Sequence, residues 1–178
     1  MNYSNKNMKS NFYLLTFLLI IFFTINGYAA ERKKYNFNSE WRLQVGDFPQ
    51  AKKPDFKDSS WKQVTLPHAF NEDEAFRISI EQHTDTVVWY RKHFVVPAET
   101  KGQRVSIHFE AAMGKQILYL NGKRIQEHIG GYLPFTLDLT TYGVQAGDSC
   151  LLAVFVDNSD DKSYPPGKRQ YTLDFTYH

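Results

Sequence analysis

Cysteine is nearly absent from this chain, which has one in 178 residues. A single cysteine excludes an internal disulfide, so the fold must depend on a hydrophobic core. Aromatic residues make up 16% of the chain, and we expect Trp41, Trp61 and Trp89 in that core rather than on an exposed surface. Cys150 lies in an apolar run without a nearby histidine or helix N-terminus to activate it, so it is predicted to be a small buried hydrophobe.

An excess of charge of one sign is also missing. The chain carries 21 Lys and Arg against 19 Asp and Glu, and residues 1–30 contain Lys6 and Lys9 but no acid. Residues 31–178 therefore carry 19 of each, and this zero net charge gives no support for nucleic-acid binding. The six histidines have no zinc-like spacing, and neither a phosphate-binding glycine loop nor a Ser-His-Asp signature occurs.

The longest apolar run is short for a membrane span. Residues 12–25 are about 14 in number, whereas a helix that crosses a bilayer needs roughly 20. Lys6 and Lys9 precede this run and small residues at 27–30 follow it, which is the order of a secretory signal peptide. We therefore expect residues 1–30 to be a signal peptide and the protein to be exported, periplasmic or secreted, without a stable membrane span after cleavage. An uncleaved membrane anchor is the alternative.

No convincing amphipathic helix is present, and short alternating segments take its place. Turn residues separate them about every 8–12 residues, a pattern typical of an all-β sandwich or jelly roll. Residues 68–86 predict a long loop with one helical turn around residues 72–76. Strands are predicted at residues 41–45, 61–67, 87–96, 104–110, 116–120, 123–128, 135–139, 151–156 and 171–177.

The clearest local signal is a hairpin at Asn121-Gly122. A two-residue turn that matches the twist of its strands needs positive φ at both central positions, and Asn-Gly supplies this. We expect a glycine-rich loop at Gly130-Gly131 to follow, and then a strand that begins at Phe135. The segment 151–156 is apolar on both faces and predicts a strand buried on both sides.

Six motifs follow one another in order between residues 41 and 178. They are Asp58-Ser-Ser-Trp-Lys-Gln-Val-Thr-Leu-Pro-His68, Trp89-Tyr-Arg-Lys-His-Phe-Val-Val-Pro97, Arg104-Val-Ser-Ile-His-Phe-Glu-Ala-Ala-Met113, the stretch from Tyr119 through Gly130-Gly-Tyr-Leu-Pro-Phe135 to Leu139, Ala146-Gly-Asp148 and Leu152-Ala-Val-Phe-Val-Asp-Asn158. Together they resemble the N-terminal sugar-binding domain of the family 2 glycoside hydrolases, which include β-galactosidases, β-glucuronidases and β-mannosidases. One departure is Ala69-Phe70, where many members have Asp-Trp or a similar pair.

The resemblance implies a galactose-binding-like jelly roll over residues 31–178, which helps to shape a sugar site and carries no hydrolytic chemistry. In that family an immunoglobulin-like domain and a TIM barrel with two catalytic glutamates come next. Neither follows residues 174–178 of this sequence. We therefore expect a sugar-binding domain truncated at its C-terminal end. It would belong to an exported, retaining β-glycosidase and be inactive by itself.

The resemblance also marks four candidate site residues. Asp174 resembles an aspartate that reaches into the barrel's mouth in some members and hydrogen-bonds a sugar hydroxyl. Asp157 and Asn158 end the buried strand, where they either cap a turn or contribute to sugar or cation binding. Asp161 is the nearest match to an aspartate that helps to hold sodium in some β-galactosidases. Sodium is thus the one cofactor expected in the intact enzyme.

Two other functions fit the same β-sandwich. The chain could be a free-standing carbohydrate-binding module, whose partner is a sugar and which performs no chemistry. It could instead be an interaction domain that only packs against another protein. Glycan titration would separate these two functions.

Overall fold

The structure is a computed structural model. It describes Thr16, residues 32–70, 86–112, 114–130 and 133–159, and the backbone of residues 174–177. Residue contacts divide the chain into two compact units, 1–32 and 33–178. No helix among the described residues is long and apolar enough to cross a membrane. The apolar run at residues 12–25 lies outside them except for Thr16, so the signal peptide stays a prediction.

Nine strands occur among the described residues: β1 Trp41–Val45, β2 Lys62–Val64, β3 Val87–Val95, β4 Ser106–Ala111, β5 Gly114–Leu120, β6 Lys123–Gly130, β7 Phe135–Asp138, β8 Ser149–Asp157 and β9 Asp174–Tyr177. Six form one sheet in the order β2-β1-β3-β8-β5-β6, and three form another in the order β7-β4-β9. All described neighbours are antiparallel. This confirms the predicted all-β, sandwich-like fold. Short 3₁₀ turns lie at Pro49–Lys52, Ala98–Thr100 and Thr140–Tyr142.

Strand β8 lies at the centre of the larger sheet, between β3 and β5. Its residues 150–154 are all buried, as the apolar run predicted. The strand is covered on both faces because side chains alternate across it. Side chains on one face of β8 belong to a core that includes residues of both sheets, which we call the inter-sheet core. Side chains on the other face belong to a second hydrophobic cluster. Cys150 belongs to the inter-sheet core and is 4% exposed, so its predicted burial is confirmed, and burial raises the pKa of its thiol.

The second cluster lies on the opposite face of the larger sheet, and we call it the outer cluster. Residues 46–61 fold over this face and supply Ala51 and Trp61, which pack near Trp89, Leu151 and Ala153 of the sheet. The three tryptophans are at most 6% exposed: Trp41 lies in the inter-sheet core, and Trp61 and Trp89 lie in the outer cluster. Their predicted burial is confirmed.

Arg91 of β3 fixes residues 46–61 in place. The side chain is fully buried, and its Nε donates to Asp58 Oδ2 at 2.7 Å. The remaining guanidinium nitrogens donate to the carbonyls of Ala51, of Lys53 at 3.0 Å and of Phe56 at 3.3 Å. Its planar group also lies 5.3 Å from the ring centroid of Phe56, a cation–π contact. A turn-rich segment without strands of its own is thereby held by one side chain of the sheet.

The predicted hairpin is confirmed. Asn121 has φ 50° and Gly122 has φ 87°, and β5 pairs with β6 on either side. The strand continues to Gly130, so the glycine-rich loop begins later than predicted.

The predicted strand at residues 61–67 shortens to Lys62–Val64. The backbone amides at its two ends bond outside the sheet. The amide of Trp61 donates to the carbonyl of Asp58, and the amide of Leu66 donates to the carbonyl of Asn38. The proposed helical turn at residues 72–76 and the first half of the strand at residues 171–177 lie outside the described residues.

Candidate functional site

Asp157 ends β8 and closes a turn. Its Oδ1 accepts hydrogen bonds from the backbone amide of Ser159 at 3.0 Å and from the Ser159 hydroxyl at 2.5 Å. An aspartate that bonds the backbone two residues on is a common way to stop a strand. Of the two roles weighed for Asp157, the structure shows the capping role, and its contact with a sugar stays a prediction.

Asn158 is part of the framework beside that turn. The residue is 6% exposed, and its backbone amide donates to the carbonyl of Thr86 at 3.0 Å. This bond ties the end of β8 to the residue that precedes β3. With so little of Asn158 exposed, its clearest contribution to a site is to hold Asp157 in position. Direct contact between Asn158 and a ligand stays a prediction.

Gly114 lets β5 approach this corner, and sequence reasoning missed it. It has φ 84°, and a Cβ there would lie 2.6 Å from the carbonyl oxygen of Asp157 and 3.5 Å from Oδ1 of Asn158. No side chain fits so close to a backbone oxygen, and positive φ is also unfavourable for other residues. A glycine at the start of a strand is the only sequence signal that could have indicated it.

Asp174 lies at the same end of the sandwich. Its backbone pairs with Ala111, the last residue of β4. The chain then reaches Gly114 in three residues, a distance of at most about 11 Å. The structure therefore brings the backbone of Asp174 to the same end as the corner formed by Asp157 and Asn158. We call this the Asp157 end.

Asp161, the predicted sodium ligand, lies outside the described residues. No group of three or more His, Cys, Asp or Glu in the part that the structure describes could hold a metal. His68, which the Leu-Pro-His motif singled out, is 6% exposed, and its Nδ1 lies 3.3 Å from the hydroxyl of Tyr90. That histidine joins the loop after β2 to the inter-sheet core. The acidic clusters at residues 72–74 and 160–161 also lie outside the described residues.

These features define a class: an antiparallel β-sandwich that gathers polar residues where its strands end. The sugar-binding domain of the family 2 glycosyl hydrolases matches residues 35–177, and the chain belongs to this family. The resemblance seen in the sequence motifs is thereby confirmed.

Relatives and solved structures agree on the family. A β-galactosidase of Thermoanaerobacter pseudethanolicus is 40% identical over 135 residues, which are 76% of this chain and 18% of that protein. A β-glucuronidase of Formosa agariphila is 34% identical over 137 residues, which are 73% of this chain and 14% of that protein. The chain thus spans less than a fifth of the length of these two relatives.

Two solved structures show the same fold. A β-glycosidase from Bacteroides vulgatus superposes with a TM-score of 0.69 at 28% identity, covering 82% of this chain and 20% of that one. A β-glucuronidase from Bacteroides uniformis gives 0.68 at 26% identity, covering 83% and 18%.

Proposed function

We propose that this chain is the non-catalytic sugar-binding part of an exported family 2 glycoside hydrolase. The intact enzyme would remove a β-linked terminal sugar, as the names of the relatives suggest. The match of residues 35–177 to a sugar-binding domain carries the proposal. In the whole enzyme the Asp157 end would face the sugar, and Asp174 would accept a hydrogen bond from one of its hydroxyls.

Two described carboxyl groups, Asp58 and Asp138, do not have the ionisation of a general acid. Partial burial alone would raise the pKa of Asp58 and of Asp138. The hydrogen bonds and positive charge of Arg91 and Arg104 outweigh burial, so both pKa values lie below their usual range. The general acid of a glycosidase needs the opposite, a pKa raised toward neutrality.

Hydrolysis assays test the absence of catalysis. We expect the purified chain to release no aryl leaving group from a β-galactoside or a β-glucuronide. The β-galactosidase of Thermoanaerobacter pseudethanolicus is the positive control on the galactoside. Turnover that rises in proportion to the concentration of the purified chain would refute the proposal.

Sugar recognition by Asp174 needs a catalytic partner. Residues 35–177 can replace the matching segment of the Thermoanaerobacter pseudethanolicus enzyme, with which the chain shares 40% identity. In that chimera D174N should raise KM about tenfold, because a hydrogen bond to a charged group is lost. An unchanged KM for D174N in an active chimera would remove Asp174 from the sugar site.

Export is tested separately. We expect a fusion of residues 1–30 to alkaline phosphatase to be active, since that reporter folds only after export. A fusion with the apolar run interrupted by two arginines is the control. Equal phosphatase activity of the two fusions would contradict export by this segment.

A further inference from the structure

A cavity opens at the other end of the larger sheet. It has a volume of about 580 Å³, within the range of small-ligand sites. Strand β8 separates it from the Asp157 end by about 27 Å, the length of eight strand steps. We call it the distal cavity. The lining residues used below are Glu40, His93, Val95, Asn121, Ser149 and Leu151.

Two polar residues of this cavity have an unusual backbone. Glu40 has φ 61° and Asn121 has φ 50°, and no other non-glycine residue in the described part of the chain has positive φ. The hairpin turn accounts for Asn121. Glutamate has no such turn preference. Its positive φ costs conformational free energy, because this region is disfavoured for any residue with a Cβ. Strained residues concentrate at binding sites, where the surrounding structure holds them.

His93 presents a fixed hydrogen-bond acceptor. Its Nε2 lies 3.2 Å from Oδ2 of Asp58, which Arg91 holds from the buried side, and 3.5 Å from Nη2 of Arg91. The contact with the carboxylate is the shorter one, so we assign the hydrogen to Nε2. A neutral imidazole whose Nε2–H donates to a carboxylate has its lone pair on Nδ1. The side chain is 53% exposed, so a ligand can reach the ring. The chain Arg91–Asp58–His93 thus sets the tautomer of a histidine that lines the cavity.

Asn121 supplies a donor in a fixed orientation. Its side-chain Oδ1 accepts a hydrogen bond from the backbone amide of Leu151 at 2.8 Å, and the backbone amide of Asn121 donates to the carbonyl of Leu151. The carboxamide cannot rotate without breaking the first of these bonds. Its NH₂ group makes only a weak contact with Cys150 Sγ at 3.9 Å, so a better acceptor could displace it.

The rest of the wall is apolar or hydroxylic. Leu151 is 2% exposed and forms a packed surface, while Val95 is 62% exposed for a valine in a strand. Ser149 is exposed at the start of β8 and can donate or accept. The cavity therefore combines a carboxylate acceptor at Glu40, an imidazole acceptor, an amide donor, a hydroxyl and an apolar surface.

We propose that the distal cavity binds a neutral pyranose unit. Sugar hydroxyls would donate to Glu40 and to Nδ1 of His93, and would accept from the amide of Asn121. The C–H face of the ring would lie on the exposed side chain of Val95. The charge of Glu40 disfavours a uronic acid, since no Arg or Lys lines the cavity among the described residues. The site lies apart from the Asp157 end and does not depend on the proposed function.

Titration of the full 178-residue chain tests the site. With methyl β-galactopyranoside we expect saturable shifts of the backbone amides of Asn121 and Leu151 by NMR, with a dissociation constant on the order of 1 mM. The matching methyl β-glucuronide should bind at least about tenfold more weakly, because its carboxylate meets Glu40. Absence of saturation by the galactoside, or equal binding of the glucuronide, would overturn the proposal.

Variants locate the binding. E40Q should weaken galactoside binding about tenfold, and H93F should do the same, since each removes an acceptor. H93N keeps an oxygen acceptor near the Nδ1 position and should bind more tightly than H93F. E127Q on the edge strand of the same sheet is the control and should bind as the unchanged chain does. Binding that is unaffected by both E40Q and H93F would place the sugar elsewhere and overturn the proposal.

Glu40 also acts on a neighbour, and the variants separate the two roles. Burial lowers the pKa of Lys92, whose ammonium donates to the carbonyl of Ser39, and the negative charge of Glu40 partly opposes that shift. E40G removes the carboxylate and relieves the positive-φ strain. We expect E40G to melt no more than a few degrees from the unchanged chain and to lose galactoside binding at least about tenfold. An E40G chain that stays folded and binds normally would overturn the role of Glu40.

Discussion

The inter-sheet core and the outer cluster are both rich in buried aromatic residues, but they are held together in different ways. The inter-sheet core joins side chains from two sheets, such as Trp41 and Phe109, and their apolar contact is sufficient. The outer cluster joins one sheet to residues 46–61, which have no strand to fix them. Arg91 supplies the missing order through hydrogen bonds to that segment. A charged group here organises packing that apolar contact alone would leave loose.

Removal of Arg91 should have the largest effect. R91A leaves Asp58 without its arginine and removes the Arg91 donor from the carbonyls of Ala51 and Phe56, and we expect a loss of about 3–5 kcal/mol in the free energy of unfolding. Urea denaturation followed by tryptophan fluorescence measures it. R91K keeps the charge but not the planar fork, so it should recover only part of the loss. Equal stability of R91A and the unchanged chain would show that residues 46–61 need no such anchor.

Truncation of a side chain in the inter-sheet core should lower the free energy of unfolding somewhat less than R91A does. It should also give a different pattern of proteolysis. Leu152 is fully buried in β8, and L152A should lose about 3 kcal/mol. Limited trypsin digestion separates the two regions, since Lys52 and Lys57 lie in residues 46–61. R91A should be cut there while the rest of the chain stays folded, whereas L152A should be cut only as fast as the whole domain unfolds. The same cleavage pattern in both variants would remove the distinction.

Asp58 should matter less than Arg91 at neutral pH. D58N removes the carboxylate, but Arg91 keeps its carbonyl acceptors, so we expect a loss of about 1–2 kcal/mol. Because the pKa of Asp58 is lower in the folded chain than its usual 3.8, the pair stabilises the fold above that pH. This contribution disappears as the pH falls through the folded-state value. Urea titrations from pH 6 to pH 2 should therefore show a shallower acid decline for D58N, and parallel curves would contradict the assignment.

Much of the sandwich could be predicted from the sequence because its strands obey local rules. The β-branched residues at 87–96 predict a strand, and a strand occurs there. Asn121-Gly122 predicts a turn because both residues tolerate positive φ, and both have positive φ in the structure. The strand predicted at residues 61–67 is shorter because the amide of Trp61 closes a local turn with Asp58 and the amide of Leu66 bonds to the distant Asn38. Propensity contains no information about such partners.

The candidate site was less predictable for the same reason. Asp157 and Asn158 mark the end of a strand, but only the fold shows that the backbone of Asp174 reaches the same end through its pairing with Ala111. Gly114 gave no motif, although a Cβ there would meet the carbonyl of Asp157. The distal cavity joins residues from five separate segments, so no sequence pattern of short range could indicate it.

The smallest expected effect belongs to His128, at the edge where the two sheets meet. Its ring stacks on Phe135 at 4.2 Å between centroids, and Phe135 stacks in turn on Phe109 at 4.4 Å. The Nε2 atom is shielded from solvent without a hydrogen-bond partner among the described residues, and burial lowers the pKa of the imidazole. The unfolded chain therefore takes up a proton near pH 6.5 that the folded chain resists, so stability is complete above that pH and declines as the pH falls.

Replacement by phenylalanine tests this inter-sheet contact. H128F keeps the stack and cannot take up a proton, so its free energy of unfolding should change less between pH 7 and pH 5 than that of the unchanged chain. The outer cluster, by contrast, should respond only near the acid range of Asp58. If H128F lost as much stability between pH 7 and pH 5 as the unchanged chain, His128 would not be the source of the decline. The inter-sheet core would then be insensitive to pH in this range.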